Sequence, residues 1–261
     1  LNVAKILQEN GYQTSSIFKS SYFLDEASSI EWNEYYPKED LSKIGGRTLT
    51  KSIFQGAFKF DIFDEFTNYE DYLQLKENYL SSIRKNTFFF THNSYPGHSG
   101  NSGVCDPNEK NKYFSGMKKA NTEMQNDVMN ILKNDQNAII VILGDHGPYL
   151  TKNCKELRDV DISTIDQYDI QDRYGAFLSI YWPKDIPHKN YNIEVTQDIF
   201  PAVFSNITNN KNLFDELKVD RRFSDRFNNV LGGVNVDKGI ISGGKDNGKP
   251  LFNQRSYVLG Q

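Results

Sequence analysis

Ala138-Ile139-Ile140-Val141-Ile142-Leu143-Gly144-Asp145-His146-Gly147-Pro148 is the stretch on which the reading of this chain turns. Six apolar residues in a row, most of them β-branched, predict a strand. A run without polar alternation suits a central parallel strand covered on both faces. The run stops abruptly at a glycine. In open α/β sheets ligands bind beyond the carboxyl ends of the strands. Asp145 and His146, delivered at such an end, are therefore candidate ligands for a divalent cation such as zinc or manganese. An Asp-His pair by itself also suits a helix cap or a plain surface loop. Its place at the end of a wholly apolar strand favours ligation, because Gly144 and Gly147 let the backbone turn sharply and come close to a ligand.

Working outward, the segments on either side alternate between helical and strand patterns. Met117 to Leu132 places Ala120, Met124, Val128, Ile131 and Leu132 on one stripe and predicts a helix. Thr87 to Thr91, Thr-Phe-Phe-Phe-Thr, predicts a buried strand, followed by a Gly-, Ser- and Asn-rich loop from Asn93 to Gly103. Tyr69 to Ile83 carries Tyr72, Leu75, Tyr79, Leu80 and Ile83 on one side and predicts another helix. Val3, Ile6 and Leu7 stand at helical spacing before Gly11, a C-cap signal, and Thr14 to Phe18 then predicts a short strand. Residues 23 to 65 mix aromatics, acids and turn residues without a clear period, with a turn marked at Gly45-Gly46. Beyond the Asp-His loop, Ala176 to Trp182 predicts a strand ended by Pro183, and Thr196 to Ile207 a helix. The last thirty or so residues, rich in Gly and Asn, suggest a hairpin or an extended tail. Strands alternating with helices imply an α/β fold whose sheet is mostly parallel, with helices on both faces.

Composition narrows the function classes. The 261 residues are enough for one α/β domain, or one domain with a small appendage. Lys plus Arg number 30 against 34 Asp plus Glu, a net charge of -4, which gives no electrostatic footprint for nucleic acid. No basic run is dense enough for a lipid-binding patch, and no apolar run approaches the length of a membrane span. Cys105 and Cys154 are too few for a disulfide scaffold or a thiolate-rich zinc site. The 13% aromatic content argues for a folded chain.

The order of these pieces resembles that of sulfatases and of the related phosphoethanolamine and lipoteichoic-acid transferases, within the alkaline phosphatase superfamily. Ala138 to Gly147 resembles their strand and Asp-His-Gly motif. Ala4 to Thr14 resembles the helix and strand after the nucleophile region. Phe88-Phe89-Phe90-Thr91-His92, running on to Pro96-Gly97-His98-Ser99, resembles the strand and His-containing loop that face the substrate. Tyr113 to Leu132 resembles the helix before the Asp-His strand. Ala176 to Pro183 with Val195 to Pro201 resembles the late strand and helix. The resemblance covers roughly residues 1–210, leaving 211–261 as a C-terminal extension, a small hairpin or tail on the same domain. It implies a metal-dependent hydrolase or phospho-group transferase of the membrane-anchored bacterial kind, acting on sulfated or phosphorylated surface glycans or lipids at the extracytoplasmic face. Asp145 and His146 would be ligands to zinc, manganese or calcium. His98, and with it His92, would contact sulfate or phosphate oxygens or protonate the leaving group.

The sequence departs from that pattern at its start. The family holds its metal also with an acidic residue on an early strand and with a Thr, Ser or formylglycine nucleophile, both upstream of the helix that matches Leu1 to Asn10. The opening Leu-Asn-Val-Ala-Lys-Ile-Leu reads as the middle of a domain. Neither Cys105 nor Cys154 stands in the Cys-x-Pro-x-Arg pattern of a formylglycine site. The chain is thus expected to be the later part of such a catalytic domain and inactive alone; the alternative is a catalytically inactive binding module for an envelope glycan or protein. A phosphomutase of the same superfamily needs a second metal site, for which four histidines leave little. His188, in a Pro- and Lys-rich loop, reads as an ordinary loop histidine. Cys105 follows the His98 loop and Cys154 the Asp145-His146 loop, so the choice lies between a disulfide tying the two loops and two separate buried thiols.

Overall fold

The computed structural model describes residues 3–20, 32–38, 67–83, 86–93, 95–97, 106–151, 161–184, 186–217, 233–237 and 239–252. The chain divides into two compact units, Leu1–Tyr95 with Lys119–Ala138, and Pro96–Lys118 with Ile139–Gln261. It is mixed α/β, and no helix of the described residues is long and apolar enough to cross a membrane.

The first unit is built on a three-stranded parallel sheet. β1 (Gln13–Phe18) lies between β2 (Glu34–Tyr36) and β3 (Thr87–His92). Helix α1 (Val3–Glu9) leads into β1 through Gly11, whose φ of 82° is the left-handed turn that the C-cap signal implied. Every residue of β1 after Gln13 is buried, three hydroxyl residues among them. Successive side chains of a strand point to opposite faces, and each face supplies its own partner. Thr14 Oγ1 accepts from Gln8 Nε2 of α1 at 2.6 Å. On the other face the hydroxyl of Ser15 meets the phenol of Tyr79 in helix α2 (Tyr69–Ser82), whose ring stacks on Phe89 of β3 at 5.1 Å. Helices therefore approach the central strand from both sides, as expected. The Thr14 side also carries Trp32, whose ring stacks over Phe88 and Phe90 at 6.3 and 6.4 Å. Asn68 caps α2 by accepting from Glu70 N at 2.9 Å.

The long helix α3 runs Glu109–Asn134, eight residues earlier than its apolar stripe suggests. Gly116 lies in this extension because a Cβ there would come 2.9 Å from the Pro96 carbonyl oxygen, so close packing outweighs the helix penalty of glycine. Farther along, Ala120 and Glu123 are both buried, so the helix turns charge as well as apolar surface inward.

The second unit contains β4 (Ile140–Leu143), and here the expectation of a central parallel strand is corrected. Among the described residues β4 pairs only with β5 (Leu178–Tyr181), and antiparallel, from Ile140 opposite Tyr181 to Leu143 opposite Leu178. The run is half-buried and Leu143 is 46% exposed. An apolar run announces a strand but neither the direction of its neighbour nor how fully it is covered, and the expected cover on both faces is corrected together with the pairing. Between the two strands lies helix α4 (Gln167–Tyr174), which no apolar period announces. Its start is fixed by a reciprocal cap. Asp166 accepts from the amides of Tyr168 and Asp169 at 2.9 and 3.1 Å, and Asp169 accepts from the amide of Asp166 at 3.1 Å. Asp166→Ala is expected to cost about 1 kcal/mol, read by urea denaturation. An unchanged midpoint would show that the cap is dispensable.

Helix α5 (Ile199–Ile207) is buried on nearly all sides, from Ile199 through Phe204 to Asn206, as its almost continuous apolar sequence requires. The short helix α6 (Leu213–Leu217) follows. The tail forms the antiparallel hairpin of β6 (Asn235–Asp237) and β7 (Ile240–Ser242). It closes a small core in which Val234, Ile241 and Leu251 pack with Ile165 and Ile170.

Candidate functional site

The residues singled out in the sequence fall in both units, and each group has its own geometry. In the first unit β1 and β3 end together, with Ile17 opposite Thr91 and Phe18 opposite His92. His92 stands exposed at this carboxyl edge. The strand end is tied down from beneath. Thr91 Oγ1 donates to the Ile17 carbonyl at 2.7 Å, and the Tyr72 hydroxyl lies 3.1 Å from Thr91 Oγ1 and 3.3 Å from the His92 carbonyl. Below Tyr72 sits Lys76, 1% exposed, with its ammonium 4.9 Å from the Tyr72 ring centroid. Lys76 Nζ pairs with Glu123, lies 2.7 Å from Asp127 Oδ2, and reaches Asn93 Oδ1 at 3.5 Å. Tyr69 adds a hydrogen bond to the second oxygen of Glu123 at 2.8 Å.

Burial sets the proton affinities in this network. It pushes the Tyr72 phenol up to about 12 and, helped by Glu123, raises Tyr69 further. Burial also raises the Asp127 carboxyl, against the opposing charge of Lys76. On Lys76 burial acts downward, but the neighbouring Tyr72 and the two carboxylates outweigh it, and the ammonium is held above the ordinary lysine range.

In the second unit the loop after β4 is laid across the end of α4. Gly147 N donates to the Arg173 carbonyl at 3.1 Å and Tyr149 N to the Asp172 carbonyl at 3.3 Å. The Asp172 carboxylate accepts from both the amide and the hydroxyl of Thr151, at 2.8 and 3.1 Å. The close approach expected of Gly147 is thus to the chain's own backbone. A Cβ there would meet the Asp172 carbonyl group, 2.6 Å from its carbon and closer still to its oxygen.

This seating fixes His146. Its Nδ1 lies 2.8 Å from the Gly147 carbonyl oxygen. A carbonyl can only accept, so Nδ1 carries the hydrogen, and in the neutral ring the lone pair is on Nε2. Nε2 lies 3.4 Å from Asp145 Oδ2. A tetrahedral ion with bonds of about 2.1 Å separates neighbouring donor atoms by about 3.4 Å, so the two atoms can share one ion with little movement. The backbone hydrogen bond at Nδ1 is the kind of outer contact that orients a metal-binding imidazole. Asp145 is 78% and His146 32% exposed at the side chain, so an ion can reach the pair from solvent. Among the described residues no group of three or more His, Cys, Asp or Glu side chains could hold a metal.

His98, Cys105 and Cys154 lie outside the described residues, and with them the question of a disulfide. His188 stacks on Trp182 at 5.3 Å. What the sequence reading missed is the set around His146. The Tyr149 ring stacks parallel on the imidazole at 4.9 Å, and the Arg173 guanidinium lies 4.2 Å from the Tyr149 centroid. The available signal was Gln171-Asp172-Arg173-Tyr174-Gly175, a cluster of functional side chains directly before a strand. Comparison with known protein families, characterised proteins and solved structures finds no match for this chain.

Proposed function

We propose that this chain carries part of the active centre of a metal-dependent, sulfatase-like hydrolase or phospho-group transferase. Its substrates would be sulfated or phosphorylated glycans or lipids of the bacterial surface, met at the extracytoplasmic face by a membrane-anchored parent protein. The observation that supports this best is the orientation of His146, whose Nδ1 hydrogen bond to Gly147 turns Nε2 toward Asp145 at 3.4 Å. In this reading Asp145 and His146 hold the ion. When bound, the ion neutralises charge on the sulfate or phosphate oxygens and lowers the pKa of the attacking hydroxyl. The resemblance would also give His92 and His98 contacts to substrate oxygens or a proton to hand to the leaving group. No Ser, Thr or Cys of this chain stands in a context resembling the family's nucleophile.

Calorimetric titration with zinc or manganese tests the reading. Weak binding is expected, because two ligands stand where a tight site has three or four, and Asp145→Ala or His146→Ala should each remove it. Binding that neither substitution alters would sink the proposal. Submicromolar binding would place further ligands within the chain, His92 and His98 first. Aryl sulfates and phosphate esters should not be turned over by the chain alone. Turnover abolished by Asp145→Ala would show that a nucleophile is present within it.

A further inference from the structure

We propose that Arg173 binds the tetrahedral oxyanion of the substrate, a sulfate or phosphate ester, beside Asp145 and His146. The choice of ligand class rests on the reading just given; the anion site itself stands on independent geometry.

Arg173 occupies the last turn of α4, where its own carbonyl anchors Gly147. The guanidinium is held by two tyrosines. Its carbon lies 4.2 Å from the centroid of Tyr149 and 5.4 Å from that of Tyr174, and Nε donates to the Tyr174 hydroxyl at 2.7 Å. Aromatic contacts of this kind fix the plane of an arginine without using its hydrogen-bond donors. Among the described residues Nε is the one donor that is used, which leaves both terminal amino groups, the fork that matches a tetrahedral oxyanion in two parallel hydrogen bonds. Among the described residues no carboxylate is paired with Arg173. The adjacent Asp172 carboxylate is turned to the amide and hydroxyl of Thr151.

Tyr149 links this fork to the candidate metal ligands. Its φ of 61° is a left-handed conformation that a bulky residue seldom adopts, and such strain gathers at functional sites. Held there, a single ring contacts the imidazole of His146 and the guanidinium of Arg173. The two contact distances put the guanidinium carbon within about 9 Å of the imidazole centroid. Arg173 is a binding residue in this arrangement; it takes no part in proton transfer.

Phenylglyoxal modification of the whole chain, in the presence of a metal chelator and followed at each arginine by peptide mass spectrometry, reads the site directly. Inorganic phosphate or sulfate should slow modification of Arg173 several-fold relative to chloride at equal ionic strength, with the other arginines as internal controls. Equal rates in phosphate, sulfate and chloride would overturn the proposal. Tyr149→Asn, which tolerates the left-handed backbone, should abolish the protection; full protection in that variant would remove Tyr149 from the site and overturn the arrangement. Asp145→Ala should leave the protection intact. Arg173 protection without any Asp145-dependent metal binding would leave the anion site standing and remove the metal-centre reading, whereas metal binding without protection would do the reverse.

Discussion

Replacing Lys76 by methionine is expected to destabilise the chain by about 3–5 kcal/mol near neutral pH, the usual cost of removing one partner from a buried ion pair. The methionine keeps the length of the side chain and a good helix propensity, so neither packing volume nor α2 itself supplies the loss. What remains is a carboxylate, Glu123, with Asp127 beside it, on a helix face that Lys76 alone neutralises within this network. The effect should depend on pH with a definite sign. A carboxyl whose pKa is raised by folding favours the folded state while protonated, and loses that contribution as pH rises through the raised value. Asp127 is already raised by burial, with Lys76 opposing, so losing the ammonium raises it further. The deficit of Lys76→Met should therefore shrink on acidification to about pH 4.5, and Lys76→Met combined with Asp127→Asn should recover part of it near neutrality. Urea denaturation followed by the fluorescence of Trp32, in a Trp182→Phe background, reports on the first unit. A loss below about 1 kcal/mol, or one independent of pH, would mean that the network is wetter than its burial indicates.

The second large effect is expected at Gly147. In Gly147→Ala the added methyl group collides with the peptide of Asp172, and the three atoms nearest to it all belong to backbone. No side chain can swing aside, so the loop must lift from α4 and give up the hydrogen bonds from Gly147 and Tyr149. Overpacking of this kind costs about 3 kcal/mol, which for a chain of this size lowers Tm by about 10 °C. Limited proteolysis should find new cleavage between Gly147 and Thr151. A variant that melts with the parent and resists protease would show that the loop is not seated on the helix as described.

The elements legible in the sequence are those whose side chains repeat with a period. The helices over Val3–Glu9, Tyr69–Ser82 and Ile199–Ile207 and the strands ending at Phe18 and His92 were all visible to within a few residues. What was hidden has physical causes. The segment Glu109–Lys112 is polar, so no apolar period announces the first turn of α3, and the packing of Gly116 on Pro96 is a contact that no local pattern announces. Glu123 and Asp127 broke the apolar stripe of α3 because their partner, Lys76, is 47 residues away from Glu123 in sequence. The run from Ala138 to Leu143 revealed a strand but not its antiparallel neighbour. The Asp145-His146 pair was legible as a dipeptide after a strand, whereas Tyr149 and Arg173 join it only through the seating of one loop on the end of α4. That seating is a matter of backbone hydrogen bonds, to which side-chain identity gives little guide.

The parallel stack of His146 on Tyr149, 4.9 Å between centroids and 8° between planes, has a spectroscopic consequence. Circulating π-electrons shield nuclei above the face of an aromatic ring, so the imidazole carbon-bound protons of His146 should resonate upfield of their usual positions in a proton NMR spectrum. His188, stacked on Trp182, should be shifted in the same direction. Tyr149→Leu should return one displaced pair to the ordinary range and leave the His188 pair where it is. If neither pair moves, the rings do not stack in solution. If the assignment holds, adding zinc should broaden or shift the Tyr149-dependent pair first, giving the loop after β4 a resonance that can be followed without any label.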